Sequence, residues 1–166
     1  MSPTTDQLHR LEPFETGGQP VHSRTLVVDM QQEAQGRVSA HGTILDLRKH
    51  GWVPTGGELQ TAGIIHHMSL DAVVDSASRR IERFEPSQQV VAFEPSERTA
   101  GDSCRDPIHR LRVLEGQLLD AGCVRRLRES FGGPLGCSHL LTLAQLMVSM
   151  FPGVLGRELE SEAVRK

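Results

Sequence analysis

Eight histidines stand against only two lysines in this chain. Histidine is the side chain whose ordinary pKa lets it act as acid or base near neutrality. His9, His22, His50 and His109 fall in a terminal segment, at strand ends or in the first turn of a helix, where solvent reaches them. The doublet His66-His67 differs, because adjacent strand residues point to opposite faces. Alternation sets His66 with Ile64, Met68 and Leu70, towards an apolar layer, and His67 with Thr61, Ser69 and Asp71. A histidine placed like His66 is either a core residue satisfied by one partner or a desolvated acid, base or ligand.

The run Phe131-Gly-Gly-Pro-Leu-Gly-Cys-Ser-His-Leu140 delivers a cysteine and a histidine to the start of an apolar helix. Ser138 is a good N-cap, which sets Cys137 just before the helix and His139 at its first residue. The positive end of a helix dipole favours thiolate and neutral imidazole there. Residues two apart on a helix point about 200° apart, so Cys137 and His139 converge only if Cys137 is still in extended backbone. The bland alternative is a small buried thiol beside a capping histidine.

Asp46, in Thr43-Ile-Leu-Asp-Leu47, needs a partner to offset desolvation, and Arg48 is the nearest one in sequence. Alternation groups Asp46 with Ile44 and Arg48, and His41 with Leu45 and Leu47, which makes His41 a further inward candidate. Should His66, His139, Cys137 and Asp46 or His41 meet, they would form a mixed N/O/S set suited to zinc or iron. No cofactor is required by any motif. Phosphate-cradling glycine loop, Gly-x-Ser-x-Gly elbow and dinucleotide fingerprint are all missing from the sequence.

Four strands should position these residues. They are expected at about Val21 to Met30, Gly36 to Arg48, Glu58 to Val74 and Ser78 to Phe93, with a turn over Gln31 to Gln35, a loop over Gly51 to Gly57 and an interruption at Pro86. The links between strands 1 and 2 and between strands 3 and 4 are short, so two antiparallel hairpins follow. After Pro95 the period becomes helical. Asp106-Pro107 should open a short amphipathic helix ending at Gly116. A second helix from about Asp120 carries Cys123, Val124, Leu127 and Phe131 on one face and stops at Gly132-Gly133. A third, Ser138 to Phe151, is apolar nearly all round and too short to span a bilayer, so it belongs against the sheet or in a subunit interface. The expected class is α+β: an antiparallel sheet of about four strands followed by three helices, the last buried. Residues 1–20 read as a flexible tail, 21–152 as one domain and 153–166 as a second tail.

The net charge of −3 and a pI near 6.2 give no footprint for nucleic acid or anionic membranes. The first ten residues have neither a basic nor an apolar leader region, and Cys104, Cys123 and Cys137 lack paired spacing. A cytoplasmic protein with reduced thiols is expected.

The segment Gly122 to Leu140, with its Gly-Gly turn and Gly136-Cys-Ser-His-Leu140, taken with Ile65-His-His-Met68 and Gly42-Thr-Ile-Leu-Asp46, resembles a bacterial domain family of unknown function. The likeness covers about residues 22 to 150. The resemblance matches Asp46, His66, Cys104, Gly136, Cys137 and His139 to the family pattern and implies a site at these positions. The chain departs at the His66-His67 doublet, where the family more often has His followed by an acidic residue.

The residues together suggest a small-molecule enzyme working by proton transfer, of isomerase, cyclase or lyase type, with its pocket between the sheet and the last helix. His66 would be base, His139 orienting acid or electrophile, Cys137 a supporting or nucleophilic group, and Asp46 part of the same set. Two other readings stand beside it: a homodimeric binding or assembly protein using the apolar helix as its seam, and a metalloprotein with the same residues as ligands.

Overall fold

The computed structural model describes residues 18, 21–49, 51 and 63–164, with side chains for these apart from residues 98 and 157–164. Nearly all of the expected N-terminal tail, most of the loop over Gly51 to Gly57 and the expected start of the third strand lie outside the described residues.

Four antiparallel strands lie in sequence order: β1 (His22–Glu33), β2 (Arg37–Arg48), β3 (Gly63–Asp75) and β4 (Ile81–Val90). The first hairpin turns between Glu33 and Arg37 rather than over Gln31 to Gln35. Gln35 and Gly36 take positive φ there, 65° and 70°, which lets two strands close over three residues. Pro86 does not interrupt β4. It lies in register opposite Leu70 on an edge strand, where one side of the chain has no ladder to donate to.

One sheet face is built in cross-strand rows. Met30, Ala40, Ala72 and Phe84 form one row; Val28, Gly42, Leu70 and Pro86 the next; Leu26, Ile44, Met68 and Gln88 a third. The row beyond is polar: Arg24 pairs with Asp46, and Asp46 with His66. Beside it β3 bulges, since Asp46 pairs with His66 but Leu47 with Ile64, leaving Ile65 as the extra residue. The bulge breaks the expected alternation: Ile65 is buried and Ile64, expected inward, is exposed.

The helices follow the sheet as expected. Residues Ile108–Leu114 wind as a 3₁₀ helix with Leu111 and Leu114 buried. Asp106 does not cap it, because its carboxylate accepts the Ser103 N–H at 2.7 Å and closes the preceding turn. The first α-helix, α1 (Cys123–Phe131), buries Cys123, Leu127 and Phe131 and ends at Gly132. The last, α2, spans Ser138–Val164 and continues through Pro152, beyond the end expected at Phe151. The length argument against a membrane span therefore fails, since Ser138–Gly156 is long and apolar enough to cross one by length and composition. In the fold α2 instead packs on the sheet. Leu140, Leu143, Ala144, Met147, Val148, Phe151 and Leu155 are buried, while Ser138, Thr142, Leu146 and Ser149 face outward. Gly42 makes the close approach: a Cβ there would lie 2.5 Å from Met147 Sδ and 2.9 Å from Leu143 Cδ1.

Candidate functional site

The polar row at the sheet end meets the first turn of α2. Asp46 is fully buried, and Arg24 grips it with Nε donating to Oδ1 and Nη2 to Oδ2, each at 2.6 Å. His66, 8% exposed, donates from Nδ1 to Asp46 Oδ2 at 3.0 Å. Among the described residues no hydrogen bond engages its Nε2. His139 comes from α2, its ring centroid 3.9 Å from that of His66 at 34°. Its Nε2 lies 2.6 Å from Arg24 Nη2 and 3.2 Å from Asp46 Oδ2. A guanidinium always carries its hydrogens, so Nε2 accepts from Arg24 and the ring proton sits on Nδ1. That Nδ1 faces Cys137 Sγ at 3.6 Å.

The electrostatics follow from burial and this geometry. Burial alone would raise the Asp46 pKa, but hydrogen bonds from Arg24 and His66 overcome it and bring it down to about 2. Burial lowers the His66 pKa, partly offset by Asp46. His139 falls further, to about 4, through burial, then the nearby His66 and Arg24. At neutral pH the site thus holds an ionised carboxylate clamped by a guanidinium and two neutral imidazoles.

His66, His139 and Cys137 line a cavity of about 520 Å³ whose walls also include Cys104, Phe93, Ser103 and Arg110. Gln88 Nε2 donates to the Cys104 carbonyl at 3.1 Å and ties that wall to β4. Asp46 and Arg24 are not among the lining residues and act on the cavity through the histidines. Of the residues expected at a site, the fold thus brings together Asp46, His66, Cys137 and His139.

Other expectations are corrected. His41 lies on the opposite sheet face, half exposed and 2.8 Å from Asp71, because the inward set of β2 is Val38, Ala40, Gly42, Ile44 and Asp46. It therefore cannot join a metal set with His66 and His139. The partner of Asp46 is Arg24, directly opposite across the hairpin, and not Arg48. Ser138 is the first helical residue, and the carbonyl of Cys137 takes the first helical N–H, from Leu141 at 3.0 Å. Cys137 thus holds the cap position, and this is what lets its sulfur and His139 share one site.

Sequence reasoning missed Arg24 and His22, the latter 3.8 Å from Asp46 Oδ1. The hairpin centre was the missing signal. A turn centred on Gln35 sets Arg24 opposite Asp46, whereas one centred two residues earlier would set Pro20 there.

Three potential ligand atoms, one each from Asp46, His66 and His139, lie within 4.8 Å of one another. A neutral imidazole pair with one carboxylate is a donor set that suits zinc or iron(II). In the structure the Arg24 guanidinium sits against two of the three.

An α+β domain with a His/Asp cluster whose two histidines line a cavity is the class that fold and site define. The chain belongs to the DUF2889 family, described as a protein of unknown function, whose model matches residues 22–151. No curated protein and no solved structure gives a significant match.

Proposed function

We propose that the chain is a small-molecule enzyme in which His66 moves a proton of a substrate held in the cavity, in a reaction of isomerase, cyclase or lyase type. The observation that carries this reading is the buried Asp46 carboxylate accepting the His66 Nδ1–H, which leaves Nε2 as the basic atom of a cavity-lining ring. Asp46 is a positioning residue: it fixes the tautomer, and Arg24 keeps it ionised. His139, with its proton on Nδ1, is a neutral hydrogen-bond donor on the same wall.

The test is a screen of small hydroxy and carbonyl compounds in deuterated water, followed by NMR for exchange or rearrangement at carbon. Any reaction found should fall roughly 10²- to 10⁴-fold with His66→Ala while the circular dichroism is unchanged. A reaction indifferent to that substitution, or a variant that loses its fold, would overturn the assignment of His66 as base.

The clustered ligand atoms favour a second reading, a divalent metal ion held by Asp46, His66 and His139. Here Arg24 would swing away from the carboxylate as the ion enters. Elemental analysis of untagged protein decides between them: near-stoichiometric zinc or iron lost in Asp46→Asn supports the metal, and full activity in metal-stripped protein rules it out.

A further inference from the structure

The proton-transfer reading leaves two cavity-lining thiols without a role, Cys104 and Cys137, and Cys137 is the one whose sulfur faces His139. Cys137 follows the Gly133–Leu135 turn and its cap Gly136 and stands at the cap of α2, lining the cavity with His66 and His139. Among the described residues its sulfur lies 3.6 Å from His139 Nδ1 and 3.9 Å from Met68 Sδ. Immediately after it, the backbone N–H groups of Ser138, His139 and Leu140 belong to the first turn of a helix 27 residues long, where no preceding carbonyl can receive them. No other hydrogen bond engages them among the described residues. The His66 ring, its side chain 11% exposed and bonded through Nδ1 to Asp46, lines the same cavity, and among the described residues no hydrogen bond engages its Nε2.

Nucleophilic sulfur, a cluster of free amide donors beside it and a basic nitrogen in the same cavity lining suit one kind of substrate atom: the carbon of a carbonyl whose oxygen can rest on the amides. We infer that the cavity takes a carbonyl compound, an aldehyde or ketone, which Cys137 adds to reversibly while its oxygen lies at the N-terminus of α2. In the step, Sγ forms a bond to the carbonyl carbon, the π pair moves to oxygen, and the proton lost by sulfur ends on that oxygen. A hemithioacetal results, and no oxidant or second reactant is consumed. The inference rests on the cavity being a small-molecule site and names the substrate class for it.

The full-length protein is treated under native conditions with iodoacetamide, with and without propanal, and the labelled cysteines are located by peptide mass spectrometry. Cys137 should label roughly tenfold faster than Cys104 and Cys123, and propanal should slow that labelling selectively. With propanal carrying ¹³C at the carbonyl, a protein-bound hemithioacetal resonance, distinct from that of free propanal hydrate, should appear with the wild type and vanish with Cys137→Ser. Because the labelling is read on the wild type, a poorly folded variant does not blunt the test. Cys137 that stays unlabelled while Cys104 reacts, or that labels at one rate with or without propanal, overturns the inference. The two readings fail separately. An aldehyde-protected Cys137 in a chain whose His66→Ala variant retains full turnover removes only the proton-transfer role, and the converse result removes only the covalent one.

Discussion

Arg24 governs the charge state of everything around it. Its guanidinium lowers the pKa of Asp46 by hydrogen bonding and of both His66 and His139 by charge. Arg24→Gln should therefore move both imidazole titrations upward, measurable by NMR of the ring protons; unchanged titrations would show that Arg24 does not set them. Asp46→Asn should act differently. It removes charge-assisted bonds worth about 1.5–3 kcal/mol each and frees the His66 ring to change tautomer. Turnover should fall while substrate affinity changes little, a separation visible as lower kcat at nearly constant KM. The pH dependence of stability follows from the same residues. A histidine whose folded pKa lies below its ordinary 6.5 binds its proton more readily when unfolded. Its contribution is whole above pH 6.5 and is lost as pH falls through the folded value, about 4 for His139. Thermal scans should show Tm falling across that window, and His139→Gln should flatten the fall.

At the scale of elements, two glycines decide how closely α2 and its approach can pack. A Cβ on Gly136 would lie 2.3 Å from the Phe131 carbonyl oxygen and 2.5 Å from Phe131 Cγ. Backbone cannot step aside as a side-chain tip can, so Gly136→Ala should cost about 1–3 kcal/mol and displace Cys137 from the cavity wall. Gly42→Ala meets only the flexible ends of Met147 and Leu143 and should cost less. Denaturant titration of the two variants checks the order. The elements were largely legible in sequence, because hydrophobic period, proline and glycine are local signals: four strands, the end of α1 at Gly132 and the start of α2 to within one residue all read directly. What did not read was register. The meeting of Asp46 with His66 depends on the β2–β3 register, unbroken from Arg37–Asp75 to Asp46–His66, and the grip of Arg24 depends on a hairpin centre two residues from the expected one. Neither changes local composition. The partner of Asp46 was therefore sought along its own strand and lay instead across the ladder. The continuation of α2 past Pro152 was hidden for a related reason: packing of Val154 and Leu155 on the core outweighs a local breaker.

For the whole molecule, the site draws on β1, β2, β3 and α2, so it exists only when sheet and helix are docked together. Phe131 is fully buried where α1 meets this assembly. Phe131→Ala should lose about 3–5 kcal/mol and abolish the selective labelling of Cys137 together with the fold, as calorimetry and mass spectrometry would show side by side.

The outermost strand has its own consequence. Among the described residues β1 is an edge strand that pairs only with β2, and it is the strand that carries Arg24. Outer strands breathe at lower free energy than central ones. Whenever β1 frays, the fully buried Asp46 is stranded without its counterion. The carboxylate and its two imidazoles then regain proton affinity, and the cluster becomes open to a competing cation. Breathing of the sheet's margin thereby acts as a valve on the protonation of a site in its interior. Protection of the β1 amides, taken relative to the intrinsic exchange rate at each pH, should fall as pH drops towards 4, well before that of β3.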